Sequence, residues 1–234
     1  MGRYNIWADD YGYREEVSAK IDLLLKEKKV MGYSVLATHI GDKILTNGSS
    51  KNTLVGLHVN LVEGIPVSKP STVSSLVDRE GNFYPLWIFI ARIARGLIKA
   101  KDFKKEVEAQ YRKLTNLGLD ISYIDSHQHV HSLGLVYDSV KEIADKYNLT
   151  IRNSGDIKAF TARAKLSLAI LRRVSYLLPP FCKLSEGWTK NDLGWYFLSW
   201  ETAGFKKNIK NIKSDDILVT HPGRRVDRCG IIDY

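Results

Sequence analysis

An α/β fold with a largely parallel sheet is the class this sequence predicts, on three observations. Segments of strand and helix character alternate along the chain, which favours parallel strands joined by helical crossovers. The 234 residues suit a single domain, because α/β barrels of roughly 200–250 residues routinely fold as one unit. Acidic and histidine residues recur at or just past the ends of predicted strands, where α/β sheets place their ligands whether open or closed into a barrel. They are Asp9-Asp10, His58, Asp125 with His127, and His221.

The elements follow in order. Tyr4 to Ala8 is a short apolar strand that runs into the two aspartates. Arg14 to Lys28 is a helix whose apolar face is Val17, Ile21, Leu24 and Leu25. Gly32 to Ala37 and Thr53 to Leu61 are strands, the second with His58 embedded in an alternating apolar run. Pro66 to Tyr84, rich in Ser, Pro and Gly, is irregular. Trp87 to Lys99 and Asp102 to Leu117 are helices, and Gly118 caps the second. Ile121 to Asp125 is a strand, Tyr137 to Tyr147 a helix and Leu149 to Arg152 a strand. Thr161 to Leu178 is a basic, apolar helix stopped by Pro179-Pro180, and Asp216 to Thr220 is a last strand ending at His221-Pro222-Gly223.

Composition narrows the function. Hydrophobic residues at 44% and charged residues at 26% are globular averages and argue against extensive disorder. Two cysteines, Cys182 and Cys229, exclude a disulfide-rich scaffold and a four-cysteine zinc module. The low cysteine count makes a reduced, cytoplasmic setting the expectation, and the first residues hold no basic segment followed by a long apolar one, so no secretory signal peptide is expected. The longest apolar stretches, Leu86 to Leu97 and Leu166 to Leu178, are interrupted by arginines and too short to span a bilayer, so no stable membrane insertion is expected. A net charge of +9 invites a polyanionic partner, yet the lysines are scattered and no nucleic-acid-binding motif accompanies them. No nucleic-acid partner is expected.

Three of the six histidines lie within His127-Gln128-His129-Val130-His131, next to Asp125-Ser126. Dense imidazole with carboxylate points to a metal site. Alternate residues of a straight strand lie nearly 7 Å apart, so one or two of these histidines are ligands at most, and the others hydrogen-bond nearby. Asp9-Asp10 has a plain alternative as the acidic N-cap of the next helix. A turn after Asp9, with Gly12 allowing a tight backbone, would instead aim both carboxylates at one point. His58 reads equally as a hydrogen-bonded core residue and His221 as part of a structural turn, while His39 is taken as surface. Trp87, Trp188, Trp195 and Trp200 offer faces for sugar rings, but core packing explains such residues at least as well.

Read together and in order, these motifs are specific. They are Ala8-Asp9-Asp10-Tyr11-Gly12, Gly56-Leu57-His58-Val59-Asn60-Leu61, Ser75-Leu76-Val77-Asp78-Arg79-Glu80-Gly81-Asn82-Phe83, Asp125-Ser126-His127-Gln128-His129-Val130-His131 and His221-Pro222-Gly223. The set resembles the YdjC family of carbohydrate deacetylases, with its ChbG-like and HpnK-like members, from residue 4 to about 225. The resemblance implies a distorted, incomplete (β/α) barrel and removal of N-acetyl groups from an amino sugar or chitooligosaccharide-like substrate with release of acetate. It implies one divalent metal ion, Mg²⁺ or Zn²⁺, held by Asp10, His58 and His127. Asp9 becomes the general base, His221 the general acid and Arg152 a substrate-binding residue. Asp125 would orient a histidine ligand. A homodimer is expected from the resemblance alone.

Eleven residues follow Gly223, whereas family members usually carry further helical sequence there, so one domain over residues 1–234 with a truncated C-terminal end is expected. Phe160 to Cys182 reads as a lid, an oligomer contact or an interfacial helix. Two other functions compete with the deacetylase: a metal-dependent hydrolase of another amide or an ester, and a non-catalytic carbohydrate- or polyanion-binding protein on the same fold.

Overall fold

The computed structural model describes residues 5–41, 53–152, 157–158, 195–197 and 217–222. Eight strands form one sheet: β1 (Asn5–Tyr11), β2 (Gly32–Val35), β3 (Leu54–Val59), β4 (Ile121–Ser126), β5 (Thr150–Ile151), β6 (Ile157–Lys158), β7 (Trp195–Phe197) and β8 (Ile217–Thr220). Their spatial order is β5-β4-β3-β2-β1-β8-β7-β6, and every pairing is parallel. That is the cyclic order of a (β/α) barrel with an open seam between β5 and β6. The last strand is well seated, since β8 pairs with β1 from Asn5↔Ile217 to Ala8↔Thr220.

The helices are α1 (Glu15–Lys26), α2 (Leu86–Ala94), α3 (Ala100–Asn116) and α4 (Gly134–Tyr147). The face of α1 built from Val17, Ile21, Leu24 and Leu25 is buried, as its spacing predicts. Helix α2 ends five residues earlier than its apolar run suggests. Gly96 adopts φ +67°, and the Leu97 amide bonds back to the Arg92 carbonyl at 2.9 Å, a left-handed stop that closes the helix. Gly118 ends α3 in the same way, with Leu119 N–H on the Leu114 carbonyl at 3.2 Å. The two- and three-residue strands β6 and β7 went unpredicted, and the helix expected over Thr161 to Leu178 lies outside the described residues, as do Trp188 and Trp200. No helix among the described residues is long and apolar enough to cross a membrane.

Parallel sheets of this kind bury both faces, and the two faces here carry different residues. Outward, Ala8, Tyr33, Val35, Leu57, Val59 and Ile124 join the main core beneath the helices. On the inner face Trp7, Tyr123 and Val219 form a separate apolar cluster. Gly32 and Gly56 make room for the two large rings: a Cβ at Gly56 would sit 2.3 Å from Tyr123, and one at Gly32 would sit 2.5 Å from Trp7 Nε1. Two residues further along each strand, the same inner face presents Asp9, Ser34, His58, Asp125 and His221. The barrel interior is thus an apolar plug capped by a polar layer at the C-terminal strand ends. Gly56→Ala should lower stability by about 1–3 kcal/mol through overpacking against the Tyr123 ring. A denaturant midpoint unchanged from wild type would show that the ring can yield.

The polar face of α3 is turned inward to hold the irregular loop after β3. Glu106 accepts the Val67 and Ser68 amides, each at 2.9 Å, and Asp102 accepts the Ser75 amide at 3.1 Å and its hydroxyl at 2.7 Å. Gln110 clasps the main chain of Asn60 on both sides, accepting its N–H at 3.0 Å and donating to its carbonyl at 2.7 Å. Backbone groups buried in a loop need such partners, so these polar side chains face the core.

Candidate active site

Strand β1 carries the two aspartates through a local irregularity. Ala8 pairs with Tyr33 and Tyr11 with Val35, so β1 spends one residue more than β2 over the same stretch. This is a bulge, and Asp10 in it has φ 70°. Successive strand residues ordinarily point to opposite faces; the extra residue turns the Asp10 side chain back toward the histidines. The N-cap alternative fails, because Arg14 occupies that position of α1 and both aspartates are buried, Asp9 at 0% and Asp10 at 1% exposure.

Beyond β4 the chain does not stay extended. Gln128 and His129 adopt left-handed φ values of 53° and 55°, which coil the histidine segment and split its members. His127 goes to Asp10, with Nδ1 2.9 Å from Oδ1. His131 folds the other way: its Nδ1 accepts the Ser126 hydroxyl at 2.5 Å and its Nε2–H donates to the Arg152 carbonyl at 2.9 Å. Burial pushes the His131 pKa down to about 4, so this ring is a neutral structural link.

Asp10, His58 and His127 form the first group able to hold a metal ion, with one donor atom from each lying within 4.8 Å of the others. His58 Nε2 stands 3.3 Å from Asp10 Oδ1, and its Nδ1–H is taken by Asp125 Oδ1 at 2.7 Å, with Ser34 Oγ at 3.1 Å. With Asp125 holding the Nδ1 proton, it is Nε2 that faces the cluster, where its lone pair would be offered to an ion once its own proton has left. A carboxylate and two imidazoles, all buried, are a donor set suited to a borderline divalent cation. Burial disfavours a charged His58 ring, but Asp125, Asp10 and Asp9 outweigh it and push its pKa up to about 10. Burial also opposes ionisation of Asp10, yet hydrogen bonds from His127 and His58 hold its carboxyl far below the usual range. The cluster thus gathers positive charge around Asp10.

Asp9, His58 and Asp125 form a second such group, but a cation already serves it. Arg152, 6% exposed, places Nη1 and Nη2 on the two oxygens of Asp9, each at 2.6 Å, and Nη1 also lies 2.5 Å from Asp125 Oδ2. Bidentate carboxylate–guanidinium pairing is both strong and directional. Arg152, expected from the resemblance to bind substrate, here clamps the Asp9 carboxylate. Burial alone would raise the Asp9 pKa; the Arg152 charge and hydrogen bonds reverse that and leave its carboxyl well below the ordinary range. His221, at the end of β8, brings Nε2 to 4.0 Å from Asp9 Oδ2.

The structure adds residues that the sequence reading passed over. Glu63 accepts the Tyr13 hydroxyl on Oε1 at 2.9 Å and stands 3.2 Å from His127 Nε2 through Oε2. Ser34 donates to Asp9 Oδ1 at 3.0 Å. His39, taken as surface, is half-buried: it contacts Thr38 Oγ1 through Nδ1 at 2.9 Å and packs against Tyr13 with ring centres 5.4 Å apart. The only hint of Glu63 in the sequence is its position just beyond a histidine-bearing strand end, ahead of Gly64, whose φ is +72°.

Fold and site together define a barrel-like parallel α/β protein with a buried carboxylate–imidazole cluster at its C-terminal strand ends. The chain belongs to the YdjC-like protein family, whose model matches residues 5–231. A carbohydrate deacetylase of Clostridium beijerinckii is 31% identical over 150 residues, covering 62% of this chain and 58% of the relative. The Mus musculus carbohydrate deacetylase is 27% identical over 202 residues, covering 82% of this chain and 65% of its own. The chain spans about three fifths of the length of the curated relatives it matches. A crystal structure from Enterococcus faecalis V583, of a protein named for cellobiose-phosphate cleavage, superposes with TM-score 0.65 at 20% identity, covering 94% of this chain and 80% of that one. A mutant of a CE4 family pseudoenzyme with restored activity reaches TM-score 0.50 at 10% identity, covering 99% and 60%. These two likenesses establish the fold.

Proposed function

We propose that this chain is a metal-dependent hydrolase that removes N-acetyl groups from an amino sugar or oligosaccharide and releases acetate. The observation that carries the reading is the pairing of two units at one strand-end layer: the Asp10–His58–His127 donor set and, beside it, Asp9 locked by Arg152. Membership of a family whose relatives are named carbohydrate deacetylases supports it. Asp10, His58 and His127 would hold the ion. A divalent cation, Zn²⁺ or Mg²⁺, supplies a lowered pKa for bound water and polarisation of the amide carbonyl.

The protein's own residues do the rest. Asp9 is ionised at neutral pH and takes the proton of the attacking water. Arg152 and Ser34 fix that carboxylate so that proton transfer needs no reorientation. His221, within 4.0 Å of Asp9, gives a proton to the departing amine nitrogen, a task suited to imidazole because it titrates near neutrality. Asp125 orients His58, and Arg152 acts through Asp9.

The test follows metal and product together. Chelator-stripped protein should lose acetate release from N-acetylglucosamine oligosaccharides and regain it on addition of one or more of Zn²⁺, Mg²⁺, Mn²⁺ and Co²⁺. An ion supplied at a hundred times its dissociation constant should stabilise the fold by about 2.7 kcal/mol, and His127→Ala should abolish that gain. Neutral imidazoles are needed for coordination, so binding should release protons and tighten as pH rises. Acetate release from O-acetyl but not N-acetyl sugars would overturn the amide assignment. Turnover that survives complete chelation would overturn the metal assignment.

A further inference from the structure

His58 shows how this fold holds an imidazole: Nδ1 on the Asp125 carboxylate at 2.7 Å, Nε2 toward Asp10 Oδ1 at 3.3 Å. His127 repeats the arrangement with its nitrogens exchanged, Nδ1 toward Asp10 Oδ1 at 2.9 Å and Nε2 toward Glu63 Oε2 at 3.2 Å. We propose that Glu63 is the positioning residue of His127, accepting the Nε2 proton so that, when an ion is taken up, the Nδ1 lone pair turns to it in place of the hydrogen bond to Asp10. The inference rests on the reading of Asp10, His58 and His127 as metal ligands.

Glu63 is held as such a role requires. Its carboxylate is fixed at the other oxygen by the Tyr13 hydroxyl at 2.9 Å. Its backbone is gripped by the Asn60 side chain, which accepts the Glu63 N–H at 3.2 Å and donates to its carbonyl at 2.7 Å. Asn60 is fully buried and is itself clasped by Gln110 of α3. The Tyr13 ring lies along His127, with centres 5.9 Å apart and planes 29° apart, so the carboxylate, phenol and imidazole form one unit.

Stability alone is a poor reason for this investment. The Glu63 side chain is 37% exposed, and an ion pair that open to solvent contributes little, while ordering a glutamate costs side-chain entropy. Orientation is a better one. An imidazole whose outer nitrogen is unheld can present either ring nitrogen to a ligand. A carboxylate on the outer N–H selects the tautomer, aims the ring and raises its basicity as a ligand.

The experiment is calorimetric titration of Zn²⁺ into the chelator-stripped full chain for wild type, Glu63→Ala, Glu63→Gln and His127→Ala. It is paired with ¹⁵N NMR of the histidine side chains in the Zn²⁺-loaded wild type. Glu63→Ala should weaken Zn²⁺ binding about 10- to 100-fold, and Glu63→Gln, which keeps an acceptor oxygen, should fall between it and wild type. His127 should show a protonated Nε2 and an unprotonated Nδ1. Wild-type affinity in Glu63→Ala, with binding lost in His127→Ala, would overturn this inference and leave the ligand reading standing. A loss in Glu63→Ala as complete as in His127→Ala would make Glu63 a ligand and overturn the positioning role. A wild-type protein that takes up no ion would remove both readings. Melting of the stripped variants at the wild-type temperature would confirm that these effects do not come from unfolding.

Discussion

Replacing Asp9 by asparagine will reduce acetate release by about 10²- to 10⁴-fold, the range lost when a positioned general base is removed. The substitution preserves shape and one acceptor oxygen, so Ser34 and Arg152 keep a partner at that position. It removes the charge that lets an oxygen accept the water proton, because an amide oxygen is a far weaker base than a carboxylate. The loss should therefore fall on kcat, with KM little changed. The ligand set is Asp10, His58 and His127, none of which is altered, so the Zn²⁺-dependent rise in melting temperature should persist. That rise is also the check on folding. Full activity in the Asp9→Asn protein would remove Asp9 from the chemistry and turn attention to other groups near the cluster. Loss of activity together with loss of the thermal rise would place Asp9 among the determinants of ion binding.

Much of this site was legible because it obeys a simple rule of parallel sheets. Asp9, His58, Asp125 and His221 each sit two residues beyond an inner-face position of their strand, and alternation alone brings them to one layer. Asp10 escaped that rule, since a regular strand would point it outward; only the bulge, with its left-handed backbone, turns it in. The fate of the histidine segment was also hidden. Two consecutive left-handed residues, Gln128 and His129, send His127 and His131 to different partners, and no periodicity announces such a coil.

Helix α3 misleads for a different reason. Asp102, Glu106 and Gln110 recur every four residues as a polar stripe, yet all three are buried because the loop from Asn60 to Ser75 needs acceptors and donors for its backbone. Glu63 is delivered by that loop, so its place at the cluster depends on a helix residue 50 positions from Asn60 in sequence. Strands β6 and β7 are too short to leave a periodic signal. Arg152 came in only through the family resemblance, and what it touches could be learned only from the fold.

Arg152 supplies the second large effect. Arg152→Met should cost about 3–5 kcal/mol, the usual consequence of stripping one partner from a buried ion pair, here one that faces both Asp9 and Asp125. Arg152→Lys, which keeps the charge but not the two-pronged geometry, should recover part of it. The dependence on pH separates lost charge pairing from lost packing. In the wild type, Asp9 has a depressed folded pKa, so its contribution is present above the unfolded carboxylate value of about 4. It is lost only as pH falls through the lower, folded value. Without Arg152 the strongest opposition to burial, already the largest single influence on Asp9, is gone, and the folded pKa should rise above the unfolded one despite His58 and His221. The sign then reverses: the variant retains its stability below about pH 4 and loses it as pH rises through the unfolded value and up to the folded one. Denaturant unfolding of chelator-stripped wild type and Arg152→Met should therefore show a stability gap that is smallest at the acid end of the accessible range and widens steadily as pH rises toward 7. A gap that stays constant across that range would mean the guanidinium is held for its volume, because the cost of a cavity does not depend on the protonation of Asp9.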